Sequence, residues 1–241
     1  MGQYLEGMTL LENVPLAPLT TFRIGGPARW YCPARSAEDV ADALAFARKQ
    51  GLPWFVLGRG SNVLVADRGY HGIVLHLAGL ETLDWTAAGG TAPGTDGRRL
   101  VRCGAGLAIA ALASAAAEQG LSGLEFAGGL PGSVGGAAFM NARAYGGEMA
   151  DIVERVNVLT PAGELASRSR EDLGYAYKHS TLMKSGEIIL ELELLFVVRY
   201  TVTRRNGERV DIETRIPCET TPLHFGGVRW QGNQHDFAHD R

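Results

Sequence analysis

The sequence predicts an α+β fold made of two subdomains, and three observations support this prediction. A helical segment lies between strand-like segments before residue 80, which is the pattern of a β-α-β unit. Strand-like segments dominate residues 81–199, around one alanine-rich helix. Hydrophobic residues make up 46% of the 241 residues and charged residues 20%, which is typical of a globular protein.

The first subdomain begins with a strand in "ARWYCPA". A helix follows in "SAEDVADALAFARKQG", where Ser36 is the predicted N-cap, Asp39 lies near the first turn and Gly51 ends the helix. Its apolar stripe has helical spacing and consists of Val40, Ala43, Leu44 and Ala47. Then come a buried strand in "LPWFVLG", a turn in "RGSN", and strands in "VLVAD" and "GIVLHLA".

The second subdomain is predicted to contain two strands around a Gly/Thr-rich loop, in "TLDWTAAGGTAPGTDGRRLVRCGAG". A helix in "LAIAALASAAAEQG" ends at Gly120, and a hairpin later turns at residues 161–163. A long strand follows in "EIILELELLFVVRYTV". We therefore divide the chain into an N-terminal extension (1–18), two subdomains (19–80 and 81–199) and an irregular tail (200–241).

Composition and charge exclude several classes of protein. A net charge of −3 and a pI near 6.1 offer no general attraction for nucleic acid or for an anionic membrane. We expect no signal peptide in the first residues, which lack a basic segment followed by an apolar core, and "IILELELLFVV" is too short and too charged to span a bilayer. We expect a cytoplasmic protein with no membrane partner.

Cysteine and histidine patterns predict no metal site. Cys32, Cys103 and Cys218 are odd in number and far apart, which argues against disulfides and metal knuckles and favours reduced thiols. His235 and His239 have helical spacing, but no helix signal surrounds them.

Glycine is the unusual component of the chain. There are 32 glycines, about twice average usage, and they cluster in "RIGGPA", "GRGSN" and "GGLPGSVGGAAFMN". Backbone N–H groups exposed at such turns suit a pyrophosphate, although tight turns or close packing also use glycine. No P-loop is present, and an apolar strand, not a helix, is predicted to follow "GRGSNV", so a Rossmann fingerprint does not fit.

Four segments together carry a resemblance to a known family: "LTTFRIGGPA", "LGRGSNVLV", "GLSGLEFAGGLPGSVGGAAFMNARAYGGEM" and "EDLGYAYKHS". In this order and spacing they resemble the UDP-N-acetylenolpyruvoylglucosamine reductases, from about residue 19 to residue 196. The resemblance implies a p-cresol methylhydroxylase-type fold with FAD between its two α+β subdomains. It also implies cytosolic peptidoglycan synthesis, in which NADPH reduces FAD and the reduced flavin reduces the enolpyruvyl group of a UDP-sugar.

By position, the resemblance assigns residues 59–63 to the pyrophosphate, with side-chain donors from Ser61 and Asn62. Residues 128–136 would form the opposite wall, and the 25–26 turn would shape the mouth. Asn62 as an ordinary turn residue, and Met140 and Asn141 as ordinary packing, remain alternatives. The predicted cofactor-binding residues are Gly25, Gly26, Gly58, Arg59, Gly60, Ser61, Asn62, Val63, Gly128, Gly129, Gly132, Ser133, Gly135 and Gly136.

Hydride addition to the enolpyruvyl group creates negative charge, so the reaction needs a cation to hold it. The family has Tyr-Arg-x-Ser where this chain has Tyr177-Lys178-His179-Ser180. Lys178, with Tyr177, is therefore the predicted catalytic pair, although lysine lacks the planar fork of arginine. A solvated surface lysine is the alternative, and His179 is interpreted as a surface residue.

The reaction also needs a proton donor, and here the sequence departs from the family pattern. The family's donor lies in a later Gly-Ser-x-Phe-Lys-Asn-Pro motif, whereas residues 201–241 contain no serine and no lysine. Cys218 lies in a different context. We therefore expect the substrate domain to be missing through truncation or frameshift. Three functions stay open: a shortened reductase, a flavin-binding module without turnover, and another oxidase or dehydrogenase of the superfamily. The oligomeric state also stays open, with a monomer as one alternative.

Overall fold

The computed structural model describes residues 3–5, 8–86, 97–203, 209–213, 223–225 and 228–230, with side chains for 9–86 and 97–198. In the first subdomain, helix α1 packs on a mixed sheet of order β1-β2-β3-β5-β4. Strands β3, β5 and β4 are parallel, and β1 and β2 are antiparallel additions at one edge. The elements are β1 (Gln3–Leu5), β2 (Met8–Pro15), β3 (Pro27–Pro33), α1 (Ala37–Gln50), β4 (Trp54–Leu57) and β5 (Tyr70–His76).

The second subdomain is an antiparallel sheet of order β12-β11-β13-β7-β6, and β8 and β14 also pair with β13. The short helices α2 and α3 contribute to its core. The elements are β6 (Leu83–Asp84), β7 (Arg98–Gly104), α2 (Ile109–Glu118), β8 (Leu121–Ser122), α3 (Val134–Phe139), β9 (Arg143–Ala144), β10 (Gly147–Glu148), β11 (Val153–Leu159), β12 (Leu165–Ser169), α4 (Leu182–Ser185), β13 (Ile188–Thr203), β14 (Arg209–Glu213), β15 (Leu223–Phe225) and β16 (Val228–Trp230).

Helix α1 forms where its end signals predict it. The amide of Asp39 donates to Ser36 Oγ at 3.1 Å, and the Asp39 carboxylate accepts in return from the Ser36 amide at 3.0 Å. Gly51 ends the helix in the left-handed conformation, at φ 63°. The predicted apolar stripe is buried against the first sheet. The capping box and the spacing of the apolar residues therefore predict the same helix.

Strand β13 joins the two subdomains. Ile188 and Leu190, with Leu159 of β11, are buried in the core beneath α1, whereas Leu192 and Phe196 are buried in the core of the second sheet. These four residues of β13 are separated by even numbers of residues, which is the spacing of side chains on one face of a regular strand, and the core that they join changes between Leu190 and Leu192. The shared strand sets the spacing of the two subdomains.

The predicted α+β fold of two subdomains is confirmed, and four segments differ from expectation. Strand β4 forms in the segment predicted to be a buried strand, but only Leu57 of its four residues is buried. Residues 63–66 follow β4 but form no strand, because their backbone packs against the glycine turn at 25–26, where the Gly26 amide donates to Ala66 O at 3.0 Å. The predicted extension 1–18 contains β1 and β2. The predicted tail 200–241 contains the end of β13, then β14, β15 and β16.

None of the helices in the described residues has both the length and the apolar character needed to cross a lipid bilayer. Cys32 and Cys103 are buried free thiols. Burial is the main cause that raises the pKa of each thiol to about 12. Cys218, His235 and His239 lie outside the described residues.

Replacing Ser36 with alanine tests the capping box. We expect Ser36→Ala to lower the free energy of unfolding by about 1 kcal/mol, because the Asp39 amide loses its acceptor. Ser114→Ala, an exposed serine inside α2, is the matched control and should change stability by less than about 0.5 kcal/mol. Urea unfolding followed by circular dichroism measures both, and equal effects would contradict the capping role.

Candidate functional site

A cleft of about 730 Å³ lies between the subdomains, within the usual range for ligand pockets of about 300–1,000 Å³. Its first wall is the loop after β4, residues 58–63. Its second wall is the segment 130–137, which leads into α3. The floor includes the first residues of β13, from Ile188. The shared strand β13 therefore reaches the cleft as well as both cores.

The two walls touch each other through their serines. Ser61 Oγ donates to Pro131 O at 3.3 Å. A Cβ added to Gly132 would lie 2.7 Å from Ser61 Oγ, and one added to Gly58 would lie 2.5 Å from Ser133 Oγ. Each wall thus has a glycine facing a serine of the other wall. A side chain at either glycine would therefore have to displace the serine hydroxyl that faces it.

Backbone amides of both walls remain available to a ligand. Among the hydrogen bonds between described residues, none is donated by the amides of residues 59–62 or of Gly132 and Ser133. Protein amides rarely stay without an acceptor when they are buried, and Gly60 is buried. Consecutive amides of this kind bind anionic oxygens. The residues of the cleft therefore fit the diphosphate of a dinucleotide cofactor.

Side chains behind the first wall hold it in position. Arg59 Nε donates to Gly106 O at 3.1 Å, and the Arg59 guanidinium forms an ion pair with Glu81. Tyr31 and His76 Nδ1 are hydrogen-bonded, and the His76 ring also hydrogen-bonds the Gly58 backbone. Burial lowers the pKa of His76, so the ring stays neutral at pH 7.

A loop from the second subdomain brings a cation to the cleft. Lys178 lines it, with a backbone in the left-handed region at φ 50°. Asn141 is fully buried; its Nδ2 donates to Ala176 O at 3.0 Å and its Oδ1 accepts from Ala150 N at 2.9 Å. Ser180, also fully buried, donates to Phe139 O. These bonds tie the Lys178 loop to the end of α3.

An arginine shares this corner of the cleft. Its guanidinium carbon (Arg143 Cζ) lies 5.1 Å from the centroid of the Tyr177 ring, and Lys178 Nζ lies 5.7 Å from the same centroid. Arg143 lines the cleft. Tyr177 is 68% exposed and is not among the lining residues. The aromatic ring therefore has two cations beside it.

The structure brings together most of the predicted site residues. Those that line the cleft are Gly58, Arg59, Gly60, Ser61, Asn62, Val63, Gly132, Ser133, Gly135, Gly136 and Lys178. Gly25, Gly26, Gly128, Gly129 and Tyr177 are not lining residues. Their roles, like those of the lining residues, stay predictions.

Glycine serves internal packing at several of these positions. At Gly60, φ is +66° and an added Cβ would lie 2.0 Å from Leu19 O, so the chain's own backbone requires glycine there. Gly25 and Gly26 likewise approach the 65–69 segment. Close packing therefore accounts for glycine at these positions, and ligand approach stays a prediction.

Sequence reasoning missed Arg143 and did not assign a positioning role to Asn141 or Ser180. All three lie inside the quoted motifs, yet nothing in their local pattern separates them from turn residues. The sequence leaves Asn141 open to interpretation as an ordinary packing residue. In the structure Asn141 is fully buried, and its side chain forms two hydrogen bonds, one of them to the Lys178 loop. Its backbone φ of +47° is a conformation that asparagine tolerates better than most residues.

The fold and the amide-lined cleft define a domain that binds a nucleotide cofactor. The sequence profile of the FAD binding domain family matches residues 28–168. The chain belongs to this family of FAD binding domains, and FAD is its cofactor. The cofactor predicted from the sequence is confirmed by this match.

Similar proteins agree with the predicted resemblance. The UDP-N-acetylenolpyruvoylglucosamine reductase of Agathobacter rectalis is 42% identical over 190 residues, which cover 78% of this chain and 60% of that protein. The protein of the same name from Synechococcus elongatus is 45% identical over 186 residues, covering 77% and 58%. The chain thus spans about three-fifths of the length of these curated relatives, and the resemblance stated from the motifs is confirmed.

Solved structures confirm the predicted fold class. UDP-N-acetylenolpyruvylglucosamine reductase from Thermus caldophilus superposes with a TM-score of 0.65 at 34% identity, over 79% of this chain and 64% of that one. 6-Hydroxy-D-nicotine oxidase from Arthrobacter nicotinovorans matches with a TM-score of 0.53 at 22% identity, over 71% and 37%. The second likeness shows the fold alone.

Replacing Gly132 with alanine tests the contact between the walls. We expect Gly132→Ala to weaken FAD binding about tenfold, because its φ of +119° disfavours a side chain and the added Cβ would press on Ser61. Gly129→Ala is the matched control, since no protein atom lies within 4 Å of its added Cβ. Titration of apoprotein with FAD, followed by flavin fluorescence, measures both. A larger loss for Gly129→Ala would place the ligand at 128–129 instead.

Replacing Asn141 tests the anchoring of the Lys178 loop. We expect Asn141→Gly to lower the free energy of unfolding by about 2–3 kcal/mol, because two buried hydrogen bonds are lost. Asn141→Ala should cost about 1 kcal/mol more, since alanine disfavours positive φ. Urea unfolding of the two variants separates the stability lost with the hydrogen bonds from the stability lost because alanine disfavours positive φ. A Gly variant as stable as the parent would exclude the anchoring role.

Proposed function

We propose that this chain carries the flavin site of a cytoplasmic NADPH-dependent reductase that converts UDP-N-acetylglucosamine enolpyruvate to UDP-N-acetylmuramate for peptidoglycan synthesis. One observation carries the proposal: Lys178, at the position of the family's arginine, lines the same cleft as the two amide-bearing walls. The names of the curated relatives support this reaction.

Each residue of the site has a task in this reaction. When bound, FAD supplies hydride transfer between NADPH and the enolpyruvyl carbon. The amides of residues 59–62, with those of Gly132 and Ser133, hold the diphosphate of the cofactor. Lys178 holds the negative charge that develops on the substrate carboxylate as hydride adds to the conjugated double bond. No described carboxylate lies within ion-pair distance of Lys178, so its charge is available.

Proton donation is the step of this reaction with the fewest candidate side chains in the cleft. Ser61 and Ser133 are the hydroxyl-bearing residues that line the described cleft. Ser61 Oγ donates to Pro131 O, and Ser133 Oγ accepts from the Gly136 amide at 3.2 Å. Both hydroxyls belong to the walls. The family's Gly-Ser-x-Phe-Lys-Asn-Pro motif is absent from the sequence.

A flavin-binding module without turnover is therefore the second candidate function. Such a module would hold FAD with the same residues of the two walls, and it would complete the reaction only where another polypeptide supplied the acid. The engagement of both cleft hydroxyls, Ser61 and Ser133, in wall contacts favours this alternative, and the presence of Lys178 in the cleft favours the complete reaction. We expect a small-molecule substrate in both cases, with neither nucleic acid nor membrane as a partner.

An anaerobic titration of the purified yellow protein distinguishes the two functions. NADPH should bleach the flavin band, and UDP-N-acetylglucosamine enolpyruvate should then restore it if the chain turns over. Bleaching without restoration would identify the module. A protein that takes up no FAD would contradict both.

Replacing Lys178 tests its role in the second half-reaction. We expect Lys178→Ala to leave reduction by NADPH within twofold but to slow reoxidation by the substrate at least about tenfold, because the developing charge loses its cation. Lys184→Ala, an exposed lysine in α4, is the matched control and should change neither rate. Stopped-flow absorbance at the flavin band measures both half-reactions. Equal slowing of the two would assign Lys178 to cofactor binding.

A further inference from the structure

Arg143 is held in the cleft by a hairpin of its own. Strands β9 and β10 are joined by Tyr145 and Gly146, which both have positive φ, at 49° and 88°. This is the two-residue turn that favours a tight antiparallel pair. The pairing places Arg143 directly opposite Glu148, on the side of the hairpin that reaches the cleft.

The guanidinium of Arg143 keeps its hydrogen-bond donors. Its Nη1 lies 3.7 Å from Glu148 Oε2, which is an ion-pair distance but beyond hydrogen-bond reach. No hydrogen bond between described residues is donated by this side chain. Glu148 therefore reduces the net charge without occupying the planar fork. The ring of Tyr177 lies against the guanidinium and orients it.

The other two cations that line the described cleft cannot offer a planar pair of hydrogen-bond donors to a carboxylate. Arg59 is committed to Gly106 O and to Glu81. Lys178 is a compact ammonium, which attracts a carboxylate but does not match its two oxygens. Arg143 alone combines a planar set of donors with a position in the cleft beside Lys178.

We propose that Arg143 binds the carboxylate of the enolpyruvyl group through both of its oxygens, while Lys178 supplies a point charge. The family resemblance assigns this task to a single arginine, at the position that Lys178 occupies here. In this chain the task is divided between Arg143 and Lys178. This inference rests on the proposed function, because it takes its ligand from there. Two cations beside one ring repel each other, and an anion bound between them removes that repulsion.

Direct binding to the oxidised holoprotein tests the proposal without turnover. The affinity for UDP-N-acetylglucosamine enolpyruvate is measured by calorimetry, beside that for UDP-N-acetylglucosamine, which lacks the carboxylate. We expect Arg143→Lys to weaken the first ligand about tenfold, since the charge stays but the second hydrogen bond is lost. The second ligand should change by less than twofold.

Three further variants sharpen the test. Arg155→Lys, a similarly exposed arginine on β11, is the matched control and should alter neither affinity. Arg143→Lys combined with Lys178→Arg returns the fork to position 178 and should recover most of the tenfold loss. Glu148→Gln should tighten the carboxylate ligand about twofold to threefold, because the competing charge is removed.

The outcomes separate this inference from the proposed function. Wild-type binding of the enolpyruvyl ligand with unchanged affinity in Arg143→Lys overturns the role of Arg143 and leaves the proposed function intact. Equal weakening of both ligands shows a structural effect and also overturns it. Failure of the wild-type holoprotein to bind the enolpyruvyl ligand overturns both. Melting temperature and FAD content, measured on every variant, exclude unfolding as the cause of a loss.

Discussion

Strand β13 contributes side chains to two hydrophobic cores, one in each subdomain, and its first residues also line the cleft. Its first residues pack beneath α1 with Ile188 and Leu190, and its later residues fill the core of the second sheet with Leu192 and Phe196. A single rigid strand therefore sets the distance between the loop after β4 and the segment before α3. Without that spacing the two walls would not meet.

Contact between the walls restricts which residues can replace the glycines. Gly58 faces Ser133, and Gly132 faces Ser61, so a side chain at either glycine would displace the serine that faces it. The amides beside them nevertheless lack acceptors among the described residues, and these amides are what suits a diphosphate. The same bends therefore combine close packing, at the missing side chains, with backbone amides that have no acceptor among the described residues.

The positions of the two cations beside Tyr177, Arg143 and Lys178, depend on the residues that hold their loops in place. Lys178 sits on a strained loop that Asn141 and Ser180, both fully buried, fasten to the end of α3. Arg143 comes from a separate hairpin and meets the same tyrosine ring. One corner of the cleft thus holds both a compact ammonium and a planar guanidinium, supplied by two separate elements.

The sequence by itself determined helix α1, the long strand β13, the hairpin at 161–163 and the positions of the glycine turns that line the cleft, because caps, periodicity and turn residues act over a few neighbours. It did not reveal the path of residues 63–66, the pairing of β2 with β3, or the place of Arg143. Those features arise from contacts between segments distant in the chain. Only the tertiary structure decides which backbone lies beside residues 63–66 and which ring lies beside Arg143.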